Sequence, residues 1–405
     1  MHIGVLSDPG NFHTQKWASA LQREGAKVTI FSFSDFVFDK VPCVQVLPSW
    51  TVGGKITYPS FLYSGENLRA ALSKHKVDLV NPINITPYGV WAARSGFRHI
   101  VSIAMGADIL EYPPQKELSG IPVSRTWASN QTTRPGAVKK IVHGLKWRVF
   151  RQEVQKALDA SELITGDNQQ LIYAMRDWFG VSEKKLKLNR WGVEPEMFTI
   201  CETKKAEIRK KYKIRDWQKV ILSPRGMKPV YQGDIILESF ERLLRRGVRD
   251  AQFIMLSAGY DIPPEVDKKA KLLDSQFENF HYERGILPRE EVSALWSVVD
   301  VFVNAPIYDG YSNALGEGRY AGAIPVVNDI PAHREFLQHD KNSRILKTFT
   351  PQHLADEILE LIPRVEELKT KFAPVNRKWI EQHAMLDRNI RIFLRDCEKV
   401  LKQKR

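Results

Sequence analysis

Asn304-Ala305-Pro306-Ile307-Tyr308-Asp309-Gly310-Tyr311-Ser312-Asn313-Ala314-Leu315-Gly316-Glu317-Gly318-Arg319-Tyr320-Ala321-Gly322-Ala323-Ile324-Pro325-Val326-Val327 is the stretch on which the reading of this chain turns. An apolar strand ends near Asn304, a loop carries Asp309, Ser312 suits an N-cap, and a helix runs to Gly322, a residue suited to the left-handed C′ position. A helix beginning there offers the backbone N–H groups of Asn313, Ala314 and Leu315, with the positive end of the helix dipole behind them, and such a terminus binds phosphate. Asp309 lies just before this terminus, followed by Gly310 and Tyr311, and Glu317 shares a helix face with Asn313 by four-residue spacing. Two carboxylates, Asp309 and Glu317, would flank one anion site. The glycines on either side of Glu317 are expected to leave room for a ligand or another backbone, at a cost of about 1 kcal/mol each in helix propensity.

Outward from this stretch, short apolar runs alternate with helix-length periodic segments almost end to end, which predicts parallel sheets covered by helices on both faces. Strands are expected over 3–7, 27–33, 77–81, 99–104, 162–165 and 185–189 in the first half, then over 220–223, 252–256, 279–283, 300–304, 324–328 and 344–346. The fold class is therefore α/β, with two doubly wound Rossmann-like domains. The charged run 202–213 places the linker near 195–205. The expected division is 1–198 and 199–375, with a final helix over about 376–405 packing back on the first domain. Facing one another, two such domains would form a cleft with a ligand site on each wall.

Composition narrows the partners. The chain has 405 residues, 43% of them hydrophobic, enough for two cores of this kind. Its 3 cysteines follow no metal or disulfide spacing and fit a reducing compartment. Met1 runs straight into a strand-like segment and no run of about eighteen apolar residues occurs, so the expected address is cytoplasmic, without a membrane span. The net charge of +13 admits nucleic acid, an anionic bilayer or phosphorylated substrates. Its densest basic stretch, 134–156, reads as an amphipathic helix: one solvated face of a domain helix, or a peripheral contact with an anionic membrane at the inner face. Basic residues interleaved with aromatics in the nucleic-acid manner are missing, and no G-x-G-x-x-G follows a strand, so neither nucleic acid nor a dinucleotide cofactor is expected.

The 304–327 stretch resembles the signature of the retaining GT-B glycosyltransferases, family 4 of the sequence classification: an acidic residue, seven residues, then Glu, a small-residue helix end and a Pro-Val-Val strand. Other segments are similar to the family's motifs in the family's order. Arg225, after Val220-Ile221-Leu222-Ser223-Pro224, matches its phosphate-binding arginine, and Glu283-Arg284-Gly285-Ile286-Leu287 looks like the loop that contacts the base. Arg190-Trp191-Gly192-Val193 with Phe198 resembles the interdomain signature, and Ser102 to Leu110 the Gly-Ser-Asp segment. His13-Thr14-Gln15-Lys16-Trp17 is similar to a subgroup's first-turn pattern.

The resemblance implies transfer of a sugar from a nucleoside diphosphate sugar with retention at the anomeric carbon, without metal or cofactor. Arg225, Lys228 and the Asn313 to Leu315 amides would stabilise the departing diphosphate, and Asp108 and His13 would serve the acceptor wall. A lipid-linked or cell-surface glycan precursor is the implied acceptor. Three positions depart from the pattern. Asp309 stands where Glu is usual, Met105 replaces the residue that usually precedes the Gly-Ser-Asp segment, and the family's phosphate-binding lysine falls on Val230, for which Lys228 is the substitute. An epimerase on the same fold and a non-catalytic basic binding protein are the competing readings.

Overall fold

Val220-Ile221-Leu222 and Val301-Phe302-Val303 are runs without a polar side chain, as strands buried on both faces require. In the computed structural model both form parallel strands, with Ile221, Val301 and Val303 in one hydrophobic layer and Val220, Leu222 and Phe302 in the other. The alternation is the two-residue period of a strand, so helices must cover both faces. The structure describes residues 1–47, 65–110, 150–200, 202–259 and 262–403.

The chain divides into two compact units, Met1–Trp191 with Leu386–Arg405, and Gly192–Met385. In the first, β1 (His2–Leu6), β2 (Lys27–Ser32), β3 (Cys43–Gln45) and β4 (Leu79–Pro82) form a parallel sheet in the order β3-β2-β1-β4. Beyond β4, bridges from Val80 to Ile100 and Ile83 to Ile103 lead on to the sheet of β5 (Val101–Ala104), β6 (Leu163–Gly166) and β7 (Leu186–Leu188). β3 is the strand that the sequence reading lacks; it is three residues long and half exposed, too short for an apolar run. The Leu386–Lys402 helix buries Ile390, Phe393 and Cys397 in this unit, with Phe393 edge-on to Trp17 at 5.1 Å, and its polar flank reaches Glu24 through Arg391 at 2.7 Å.

The second unit holds β8 (Lys219–Ser223), β9 (Ala251–Leu256), β10 (Phe280–Glu283), β11 (Val301–Asn304), β12 (Ile324–Asn328) and β13 (Arg344–Leu346), all parallel. Their order, β10-β9-β8-β11-β12-β13, starts in the middle and proceeds outward in both directions. The direction reverses between β8 and β11, and open sheets of this kind bind ligands beyond the strand ends at that point. The chain passes from one unit to the other near Trp191–Gly192 and returns at Met385–Leu386, where the Leu386–Lys402 helix begins.

Candidate active site

Beyond the carboxyl ends of β8 and β11, the first residues of two loops meet. Ser223 ends β8, and Arg225 two positions later carries its guanidinium across to the β11 loop. Its Nη1 lies 2.7 Å from Asp309 Oδ2 and also donates to Ser312 Oγ, while the guanidinium sits over the Tyr231 ring at 4.2 Å. Burial is the largest single influence and works against this charge, but Asp309 and Tyr231 together outweigh it and hold the Arg225 pKa above its ordinary value. The other carboxylate oxygen of Asp309 accepts from Gly310 N at 3.0 Å.

Ser312 is the N-cap of the Asn313–Ala321 helix, with extended backbone, and its hydroxyl accepts from Leu315 N at 3.4 Å. The Leu315 amide is thus taken up by the chain's own cap, and its side chain is buried in the core; Leu315 drops out of the expected phosphate cradle. Asn313 and Ala314 open the first turn, where the helix dipole is positive. Gly322 closes the helix at φ +91°, a conformation that favours glycine. Lys228 begins the Pro229–Tyr231 turn, whose Val230 carbonyl accepts from Ile307 N at 2.8 Å, tying the β8 loop to the β11 loop.

Glu317 is buried, and the indole N–H of Trp296 donates to its Oε2 at 3.3 Å. The glycines beside it do something other than expected. A Cβ on Gly316 would stand 2.9 Å from the Tyr311 hydroxyl, and one on Gly318 would stand 2.7 Å from the Phe302 ring and 2.8 Å from Trp296. Their missing side chains admit the protein's own aromatic rings rather than a ligand. Gly318→Ala is therefore expected to destabilise the unit by about 1–3 kcal/mol through overpacking, against about 1 kcal/mol gained in helix propensity. Denaturant unfolding at neutral pH reads the difference, and a variant more stable than wild type would refute this packing account.

The 284–287 loop follows β10. Gly285 has φ +101°, and its N–H donates to Ser257 Oγ at 2.7 Å, fixing the loop beside Gly259. Ile286 rides on top with 81% of its surface exposed. In the same unit, Glu194 pairs with Arg289 at the start of the next helix, and Phe198 meets Tyr320 edge-on at 5.2 Å, so the 193–198 segment is bound to both the Arg289–Trp296 helix and the Asn313–Ala321 helix.

In the first unit, the loop after β1 is capped by Asn11, whose side chain accepts from His13 N at 2.8 Å. His13 stands edge-on to Trp191 at 5.5 Å, and Trp191 lies 4.8 Å from Trp17; two motifs nearly 180 residues apart in sequence thus form one aromatic cluster. Asp108 has a different use from the one expected. Its Oδ2 accepts from Ile85 N at 2.7 Å and its Oδ1 from Met105 N and Gly106 N at 3.0 Å each, so both oxygens are committed to backbone amides. Burial pushes its pKa up to about 6 despite these donors. A carboxylate engaged in this way organises the β4 and β5 loops and is not an acceptor-facing group. Asp108→Ala is expected to cost about 2 kcal/mol by orphaning buried donors, measured by denaturation at pH 7; wild-type stability would mean that the amides find other acceptors. The basic stretch 134–156 lies outside the described residues up to 149; Arg151 within its remainder donates to the Trp178 carbonyl and sits over Phe179 at 4.7 Å.

The reading from sequence lacks Trp296, Tyr231, Phe302 and His333. An indole five residues before a strand carries no motif, and only the packing of helix on sheet brings Trp296 to Glu317.

Each unit is built on parallel strands, and in the second the Arg225 guanidinium meets the start of the Asn313–Ala321 helix at the switch point of the sheet. Comparison with known families specifies the class: residues 2–133 match the model described as glycosyl transferase 4-like, and residues 218–364 match glycosyl transferases group 1. The chain belongs to the group 1 glycosyltransferases and has the GT-B fold; it is a glycosyltransferase. No curated protein sequence matches it. Among solved structures it is similar to a glycosyltransferase from Rickettsia africae, with a TM-score of 0.72 at 14% identity, covering 100% of this chain and 99% of the other. It is also similar to Anabaena HepE in complex with UDP and glucose, with a TM-score of 0.72 at 14% identity, covering 98% and 100%. WaaG, a glycosyltransferase involved in lipopolysaccharide biosynthesis, matches with a TM-score of 0.69 at 13% identity over 100% of both chains.

Proposed function

We propose that the chain transfers a sugar from a nucleoside diphosphate sugar to a glycan or lipid-linked acceptor, with retention of anomeric configuration and without metal or cofactor. One observation carries this reading: Arg225 faces the positive end of the Asn313–Ala321 helix, with Asp309 as the anion between them. Guanidinium and helix terminus are both positive, so the arrangement calls for negative charge. A diphosphate entering here would take over the partnership with Arg225 and leave Asp309 to orient the sugar. Lys228 and the Asn313 and Ala314 amides would hold the remaining phosphate oxygens, with Gly310, Tyr311 and Ser312 shaping the loop. Glu317, with one oxygen steadied by Trp296, would accept from the ribose hydroxyls, and Gly285 with the exposed Ile286 would border the base. HepE, solved with UDP and glucose, supports a donor of this class.

On the acceptor side, His13 at the head of the first helix is the group best placed to meet an incoming hydroxyl. A precursor of a surface polysaccharide is the acceptor we favour, supported by the likeness to WaaG and by the net charge of +13, which suits peripheral contact with an anionic membrane from the cytoplasmic side. Among the described residues no helix is long and apolar enough to cross a membrane. The test is incubation of purified protein with labelled UDP-, GDP- and ADP-sugars and an acceptor extract, followed by assignment of the product's anomeric configuration by NMR. Label moved to an acceptor with retention supports the proposal. Inversion would remove the retaining mechanism, and label that stays on the nucleotide as an epimer would replace transfer by isomerisation.

A further inference from the structure

Behind the Arg225–Asp309 pair lies a histidine that the transfer chemistry leaves without a role. His333 is 1% exposed and sits in the short Pro331–Arg334 helix that follows β12. Its Nδ1 is 2.8 Å from the Asn328 carbonyl oxygen, and its Nε2 is 3.2 Å from Asn304 Nδ2. A carbonyl can only accept, so the ring proton belongs on Nδ1, and the Nε2 lone pair must then face a donor. Asn304, the last residue of β11, turns its NH2 group there. Asn328 in turn donates from its own side-chain NH2 to the Pro306 carbonyl at 2.7 Å. Pro306 stands three positions before Asp309, and Gln232 holds the neighbouring Ala305 carbonyl from the β8 side at 2.8 Å. The imidazole therefore ties the carboxyl ends of β11 and β12 together, the Asn328 side chain carries that tie to the loop that delivers Asp309, and Asp309 in turn fixes Arg225.

We propose that His333 is a positioning residue for diphosphate recognition: as a neutral imidazole with its proton on Nδ1, it sets the 305–309 loop and through it the Arg225–Asp309 pair. This rests on the reading of that pair as the donor site. A histidine that merely fills the core would be replaceable by an apolar side chain with a loss of stability alone, because packing does not depend on the lone pair. A ligand-independent filler and a positioning group therefore separate in the binding constant.

The experiment measures pyrophosphate and UDP affinity by calorimetry, alongside the melting temperature, for wild type and the His333→Leu, His333→Gln and Arg225→Ala variants. His333→Leu removes both ring contacts and is expected to weaken binding about tenfold or more. His333→Gln, whose Oε1 can accept from Asn304, is expected to return binding to within about threefold of wild type. Should the leucine variant not fold, His333→Asn gives the same reading, since it keeps a donor for the Asn328 carbonyl but is too short to reach Asn304. Wild-type affinity in His333→Leu or His333→Asn, whatever the melting temperature, overturns the proposal, as does a glutamine variant as weak as the leucine one. Arg225→Ala separates the two levels: if it binds pyrophosphate like wild type the donor-site reading itself falls, whereas loss there with full binding in His333→Leu removes only the role of the histidine.

Discussion

Arg225→Ala is expected to lower turnover by about a hundredfold to a thousandfold, the scale on which removal of one preorganised donor at a developing negative charge reduces rates. In the proposed reaction the diphosphate gains charge as the sugar departs, and Arg225 already lies at the helix end, oriented by Asp309 at 2.7 Å and braced by the Tyr231 ring at 4.2 Å. A group held in place before the reaction needs no reorganisation during it, which is why its loss falls on the rate. Asp309 is left without its cation in this variant, so some stability is lost as well, and the melting temperature must be followed beside the rate. Arg225→Lys keeps a charge but loses the planar guanidinium that lies over Tyr231 while its Nη1 donates to both Asp309 and Ser312, and should recover only part of the activity. Initial rates with labelled donor at saturation check both variants; turnover within about threefold of wild type in the alanine variant would remove Arg225 from the chemistry.

The second large effect concerns acid. Burial lowers the His333 pKa to about 4, while the unfolded chain titrates near the ordinary 6.5. Above pH 6.5 neither state binds the proton and the group is neutral in its effect on stability. Between 6.5 and 4 the unfolded state takes up a proton that the folded state refuses, so stability falls with pH, to a total of about 3 kcal/mol once both forms are protonated. His333→Gln has no such titration. The gap in unfolding free energy between wild type and His333→Gln should accordingly narrow as pH drops from 7 to 5, read by urea unfolding at each pH. A gap that stays constant would show that the ring protonates as easily when folded as when unfolded. Asp108, in the other unit, has the opposite sign: its pKa is raised to about 6, so its folded form gains protons, and stability, as pH falls from there toward 3.8.

Much of the second unit was legible because its signals are local. Ser312 and Gly322 mark the helix ends by side chain and by conformational freedom, and the helix begins and ends at those residues. All six strands expected in that unit are present, within a residue or two at their ends, because runs such as Val220-Ile221-Leu222 stay buried whatever covers them. Arg225 and Asp309, 84 positions apart, were each recognisable by motif, and the sheet order brings them to one point.

What failed to be legible depended on which atoms fill a space. Gly316 and Gly318 read as clearance, and whether a ligand or the protein's own rings use that clearance is decided by Trp296, Phe302 and Tyr311 arriving from other elements. Asp108 read as a free carboxylate because, beside the local amides of Met105 and Gly106, its second oxygen is taken by the Ile85 amide beyond β4, which only folding brings to it. His333 carried no motif at all. Sequence periodicity and caps determined where strands and helices lie and where the Asn313–Ala321 helix begins, since those depend on near neighbours along the chain. Which polar groups remain available for a ligand was decided only by the tertiary structure, because a hydrogen bond or a close contact between distant segments exists only once the sheet has set their distance.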